Sequence, residues 1–191
     1  MAIPIEIITE RVLYLESIYK KYSVEELESL KHEDLEMFGA YIQTYGFIDL
    51  NIQRVYVLLK EQGVIKLDKK EMENTPFMLN KLIEKVDDYI ESPDRRVVAK
   101  NNLEEIKLRR PNRNIFAHWG ARRIPGEDGF VFMTCDPFEY RKMFSEKITT
   151  GDILYSIQDA ADLRELTIHI RKYDEWIAIL FKELTLKYGA S

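Results

Sequence analysis

The sequence predicts an all-α protein: a helical bundle with two long core helices and a small β-hairpin insertion after a short basic helix. Three observations carry that expectation. Apolar residues recur at steps of three and four over two long stretches, residues 33–62 and 151–188. Recognisable helix-start and helix-stop residues separate the remaining segments. Turn residues sit beside β-formers at one place only, residues 124–132. At 191 residues the chain suits one domain, 1–191, because cores rarely divide below roughly 250 residues. Hydrophobic residues make up 46% and charged residues 32%, an ordinary folded balance, with no repeat, low-complexity tract or linker.

Taken in order, an amphipathic helix is expected over about 5–21. Ser23 followed by Glu26 is a capping-box pattern that should start a short helix to about Lys31. The long stretch 33–62 places Leu35, Phe38, Ile42, Tyr45, Ile48, Ile52, Val55 and Leu59 on one stripe and closes at Gly63. Thr75-Pro76 opens a helix to about Glu91, and Ser92-Pro93-Asp94 breaks it. Residues 95–107 form the next helix, and Pro111 to Trp119 a short one stopped by Gly120. A hairpin follows over 124–132. Asp136-Pro137 opens a short helix to about Ser145, and the last helix spans about 151–188, with Thr149-Thr150 before it. Leu163, Leu166, Ile170, Tyr173, Ile177, Leu180 and Leu184 give that helix its stripe, and the two long helices should pack antiparallel.

Composition narrows the function classes. Cys135 is the single cysteine, so no intramolecular disulfide and no oxidising compartment is implied. His32, His118 and His169 lie far apart, which argues against a zinc site, and no cofactor motif is present. The N-terminal residues lack a secretory pattern, and no apolar run approaches the roughly 18 residues a membrane span needs. No membrane partner is expected and the cytoplasm is the default location. The net charge of -5 is unevenly spread. Lys107, Arg109, Arg110, Arg113, Arg122 and Arg123 fall between 107 and 126 without a carboxylate, a local +6 that leaves -11 on the remainder. A basic island on an acidic body suggests a local anion site.

Within that island, Arg113-Asn114-Ile115-Phe116-Ala117-His118 holds the residue types that suit metal-free cleavage of RNA. The ribose 2'-OH attacks its own phosphorus, so the protein must move protons and stabilise charge rather than supply a nucleophile. Histidine titrates near neutrality and serves as base or acid. Arginine keeps its charge and matches phosphate oxygens with a planar fork. Asn114 precedes His118 by four and shares its helix face. Arg113 precedes it by five and points about 140° away, so its side chain must wrap back.

This segment resembles the Arg-x4–6-His motif of the HEPN superfamily, in its Arg-Asn-x-x-x-His form. The resemblance implies a HEPN-like all-helical domain, a homodimer with two motifs in one cleft, and a metal-independent endoribonuclease. Its biology would be that of a toxin or a phage-defence effector. Arg113, Asn114 and His118 would be catalytic, and Arg109, Arg110, Arg122 and Arg123 would hold flanking RNA phosphates. The same Arg/His spacing recurs at Arg164 and His169, but without the asparagine, the basic surroundings or the nearby helix end. Gly120 stands where members silenced by a nucleotidyltransferase antitoxin carry tyrosine, so no such antitoxin partner is implied.

Other readings stay open. His118 can be a histidine at a helix C-terminus, where a cation is favoured anyway. The arginines can be ion-paired surface groups, and Trp119 and Trp176 can be core or interface anchors. The chain could then be a catalytically inactive HEPN-like dimerisation or interaction module, or a nucleotide-binding one.

Overall fold

Local capping chemistry sets where the helices begin. Thr9 accepts a hydrogen bond from the Val12 amide at 3.2 Å and starts α1 (Glu10–Tyr19). The Glu26 carboxylate accepts from the Ser23 amide at 2.7 Å, as the capping-box pattern predicts, but only a 3₁₀ turn forms (Val24–Glu26). Asn74, not Thr75, caps α3 (Thr75–Glu84) by accepting from the Phe77 amide. The computed structural model describes residues 9–66, 74–138, 141 and 153–188. The other helices among them are α2 (His32–Glu61), α4 (Val86–Tyr89), α5 (Pro93–His118) and α6 (Ala160–Tyr188). The strands are β1 (Gly120–Arg123), β2 (Gly129–Thr134) and β3 (Leu154–Asp159).

The protein is thus mostly helical but not all-α, because a three-stranded antiparallel sheet in the order β1-β2-β3 accompanies the helices. A hairpin forms as expected, but β1 lies before the expected range of 124–132, with Gly120 opposite Met133 and Arg123 opposite Phe130. The third strand is a correction. Residues 154–159 were expected inside the last helix, yet they pair with β2 from Thr134↔Leu154 to Gly129↔Asp159. Ladder hydrogen bonds and β-forming Tyr155 and Ile157 outweigh the helical stripe, which begins only at Leu163. Asp159 then caps α6, its carboxylate accepting from the Ala161 and Asp162 amides. The helix expected from Asp136-Pro137 to Ser145 falls largely outside the described residues.

Two expected helices are one. Pro111 lies inside α5, although its ring removes the amide that would bond to the carbonyl of Lys107. Buried Tyr41 and Tyr45 donate their hydroxyls to the carbonyls of Arg109 and Ile106 in the turn before it. These two bonds tie the turn before the proline to α2. No described helix is long and apolar enough to cross a membrane.

The chain divides into two compact units, one of residues 1–40 and 111–167, the other of 41–110 and 168–191. In the first, alternation along β2 fills both faces of the sheet. Val131 joins Val12, Leu15, Leu27, Ile124 and Ile157 in one buried cluster. Phe130 and Phe132 turn the other way and meet Phe38 and Phe116 with ring centroids 5.0–5.2 Å apart. At Gly129 the backbone approaches Leu15 closely, and a Cβ there would come within 2.8 Å of the leucine methyls, which would have to shift.

An ion network closes this unit. The Arg123 guanidinium, itself buried, donates to Asp34 at 2.6 Å and to Asp128 at 2.9 Å. Asp128 also takes Arg164 at 2.7 Å, and its carbonyl accepts from the Ala160 amide. The Arg123 backbone exchanges both hydrogen bonds with Glu28. The second unit is helical, with Tyr45, Ile48, Ile52, Tyr56, Leu79, Leu103 and Ile177 fully buried, and the Arg54 guanidinium 3.8 Å above the Phe181 ring.

Asp34 is 1% exposed, so its removal strands half of the charge compensation of a buried guanidinium. Asp34→Ala should lower stability by about 3 kcal/mol, read as a reduced urea midpoint. A loss under about 0.5 kcal/mol, the level of an indifferent surface change, would show that Arg123 is not held this way.

Candidate active site

The motif occupies the last turns of α5 in the first unit. His118 is the final helical residue and is solvent-exposed, while Ile115, Phe116 and Trp119 are buried. The buried side chains are thus anchored in the core and leave the imidazole on the outer side of the turn. The helix ends because the chain enters β1 at Gly120, not through a left-handed cap. Among the described residues, positive φ is confined to Gly63 and Gly126.

Arg113 and Asn114 are half-buried, and Nη1 of Arg113 donates to Oδ1 of Asn114 at 3.2 Å. The guanidinium is drawn toward the asparagine, which sits one helical turn from His118 on the same face. Nε of Arg113 is buried without a hydrogen-bond partner, as is Nε1 of the adjacent Trp119. One donor near the end of α5 and one just after it therefore have hydrogen-bonding capacity left over.

The flanking arginines separate into different roles. Arg109 is held by Glu105 at 2.8 Å and Arg110 by Asp49 at 3.2 Å, both in the second unit. Lys107 lies 3.7 Å from Glu104. Arg123 is enclosed by Asp34 and Asp128. Arg122 is exposed, donates to Oγ of Ser29 at 3.2 Å, and has no carboxylate partner among the described residues. Most of the basic island is therefore neutralised, and among the described residues the first unit keeps Arg113 and Arg122 as its cations free of carboxylates in that segment. The Glu105–Arg109 pair was readable from its four-residue spacing, whereas Asp34 and Asp49 arrive from distant sequence.

The second Arg/His copy is committed elsewhere. Both Asp128 oxygens accept from Arg164. His169 shares a 2.8 Å hydrogen bond with the Tyr173 hydroxyl in the other unit. Burial, with the Lys172 and Arg109 charges next, pushes the His169 imidazole below its usual pKa and favours the neutral ring. No group of three or more His, Cys, Asp or Glu side chains gathers among the described residues. No protein-family model, curated protein or solved structure matches this chain.

The carboxylates around the hairpin give the first unit an acid dependence of stated sign. The hydrogen bond from Arg164 leads in lowering the Asp128 pKa, and that from Tyr14 leads for Glu127. A depressed native carboxylate adds stability above its unfolded pKa that is lost as pH falls through the lower folded value. Stability should therefore decline below about pH 4, and Arg164→Ala should make that decline shallower. Urea midpoints between about pH 2 and pH 5 measure it, and parallel curves for the two proteins would show that the contact does not act on Asp128.

Proposed function

We propose that this chain is a metal-independent endoribonuclease of HEPN-like type. One observation carries the reading. A solvent-exposed imidazole, an asparagine on its helix face and a guanidinium bonded to that asparagine occupy less than two turns of one helix. These are a proton carrier, an orienting amide and a fixed positive charge, the groups that 2'-OH attack on an adjacent phosphorus calls for.

In the proposed reaction the 2'-OH loses its proton to a base and attacks phosphorus, the P–O5' bond breaks, and the leaving oxygen takes a proton. The products are a 2',3'-cyclic phosphate and a 5'-hydroxyl. Arg113 stabilises charge on the phosphorane, Asn114 holds Arg113 toward the scissile phosphate, and His118 transfers protons. One imidazole cannot act as base and acid at the same instant, so a homodimer supplying two histidines completes the site. Arg122 takes a neighbouring phosphate. Arg109, Arg110 and Arg123 leave that role, since each already holds a carboxylate. Action as a toxin or a phage-defence effector follows from the HEPN resemblance.

The same neutralisation favours a second reading. Two cations without carboxylates suit a compact phosphate better than a long backbone, which fits a nucleotide-binding module without cleavage. Competition by mononucleotides against RNA, with no cut product, would be its signature.

Incubation of RNA with the protein in EDTA should yield cyclic-phosphate ends. His118→Ala and Arg113→Ala should each reduce the rate at least about 100-fold, the usual scale for a lost proton-transfer group. His169→Ala should leave it unchanged. The proposal is falsified if no RNA is cut, or if His118→Ala cuts as the parent does.

A further inference from the structure

We propose that the cleft between the first turns of α5 and the later turns of α6, within the second unit, binds a small organic cation with an apolar body, of the arylalkylammonium class. The cleft encloses about 310 Å³, at the small end of ligand sites. That is room for about ten water-sized groups, so one ring and a short arm fill it. Buried Ala99 and Leu180 form its inner lining. Val98 and Ile179, both more than half exposed, line it further out together with the half-buried Trp176. Apolar side chains left facing water around a concavity mark a place where a ligand gains by displacing that water.

Three charged side chains line the cleft, and they decide the sign of the ligand. Arg95 forms an ion pair with Glu183 from one helix to the other, so its charge is matched. Asp94 has no ion-pair partner among the described residues. It lies in the first turn of α5, where the amide dipoles of the helix favour its ionised form. One guanidinium and two carboxylates leave the lining with a net charge of -1. An anion entering the cleft would meet Asp94 and Glu183, and a neutral ring would leave Asp94 unanswered. A cation gains from the carboxylate and from the electron-rich face of the Trp176 indole. The same carboxylates turn RNA phosphates away. The cleft is separate from the Arg113–His118 segment and stands whether or not that segment cleaves RNA.

The probe is phenethylammonium, with phenethyl alcohol and phenylacetate as neutral and anionic counterparts, titrated into the whole chain at low salt. The indole N–H resonance of Trp176, identified by its loss in Trp176→Phe, should shift and saturate with the ammonium at millimolar concentration. A ligand of about ten atoms reaches that range. The alcohol should bind about three- to fivefold more weakly, and phenylacetate more weakly still. Asp94→Asn should weaken the ammonium by the same factor and leave the alcohol unchanged, a pattern that loss of folding would not produce. No shift up to about 10 mM, equal binding of the three, tighter binding of phenylacetate, or an Asp94→Asn protein that binds the ammonium as the parent does each overturns the proposal. So does a Trp176 resonance that moves on dilution without ligand, which would put a second copy of the chain in the cleft.

Discussion

The first unit depends on one buried cation. The Arg123 side chain is 6% exposed and its Asp34 partner 1%, so the pair has lost nearly all contact with water. Desolvating two charges costs several kcal/mol per ion, and only good geometry with further hydrogen bonds recovers it. Arg123 has both. Nη1 reaches Asp34, Nη2 reaches Asp128, and the guanidinium lies 5.2 Å from the Phe130 ring centroid. Asp34 in turn accepts from the Lys31 amide at 2.7 Å. A single side chain thereby fixes the start of α2, the end of β1, the hairpin turn and, through Asp128 and Arg164, the start of α6. Removing one partner of such a network costs more than the network adds net, because a buried charge is left uncompensated. A register slip in the hairpin would leave a guanidinium buried without a carboxylate.

That constraint reaches the candidate site through chain connection. His118 ends α5, and β1 begins two residues later, paired to β2 and bridged to Glu28 at Arg123. Trp119 and Phe116 are buried on the inner side of the turn. The histidine is thus exposed while the backbone on either side of it is tied down. A group that must meet a substrate without reorganising needs this combination. Arg123, one of four arginines that the sequence offers for flanking phosphates, is the one buried between Asp34 and Asp128 at the end of β1.

The sequence made the fold legible where one physical signal ruled. The three-four spacing of α2 and the capping-box pattern at Ser23 come from local chemistry, and local sequence carries them, whereas the cap at Asp159 falls inside the expected last helix and was not legible. Three features depended on distant partners. Residues 154–159 become a strand because β2 offers them a ladder. Pro111 stays within a helix where Tyr41 and Tyr45 bring hydroxyls from more than sixty residues away. Two cations of the +6 island, Arg123 and Arg110, are paired by Asp34 and Asp49 from distant parts of the chain. A charge count along a window measures density, and only the fold shows which charges are already spent.

The two Arg/His copies separate spacing from function. Both lie on α-helices with the histidine five positions after the arginine, so both have the same angular relation of about 140°. What differs is the company each keeps. Arg164 faces a carboxylate and binds it through two nitrogens, and His169 pairs with a tyrosine while burial favours its neutral form. Arg113 instead adjoins an asparagine, whose amide oxygen orients a guanidinium without cancelling its charge. A neutral acceptor leaves the cation able to meet a phosphate, and a carboxylate does not. The asparagine thus does more than mark the motif, because it holds the arginine in place and leaves the charge available.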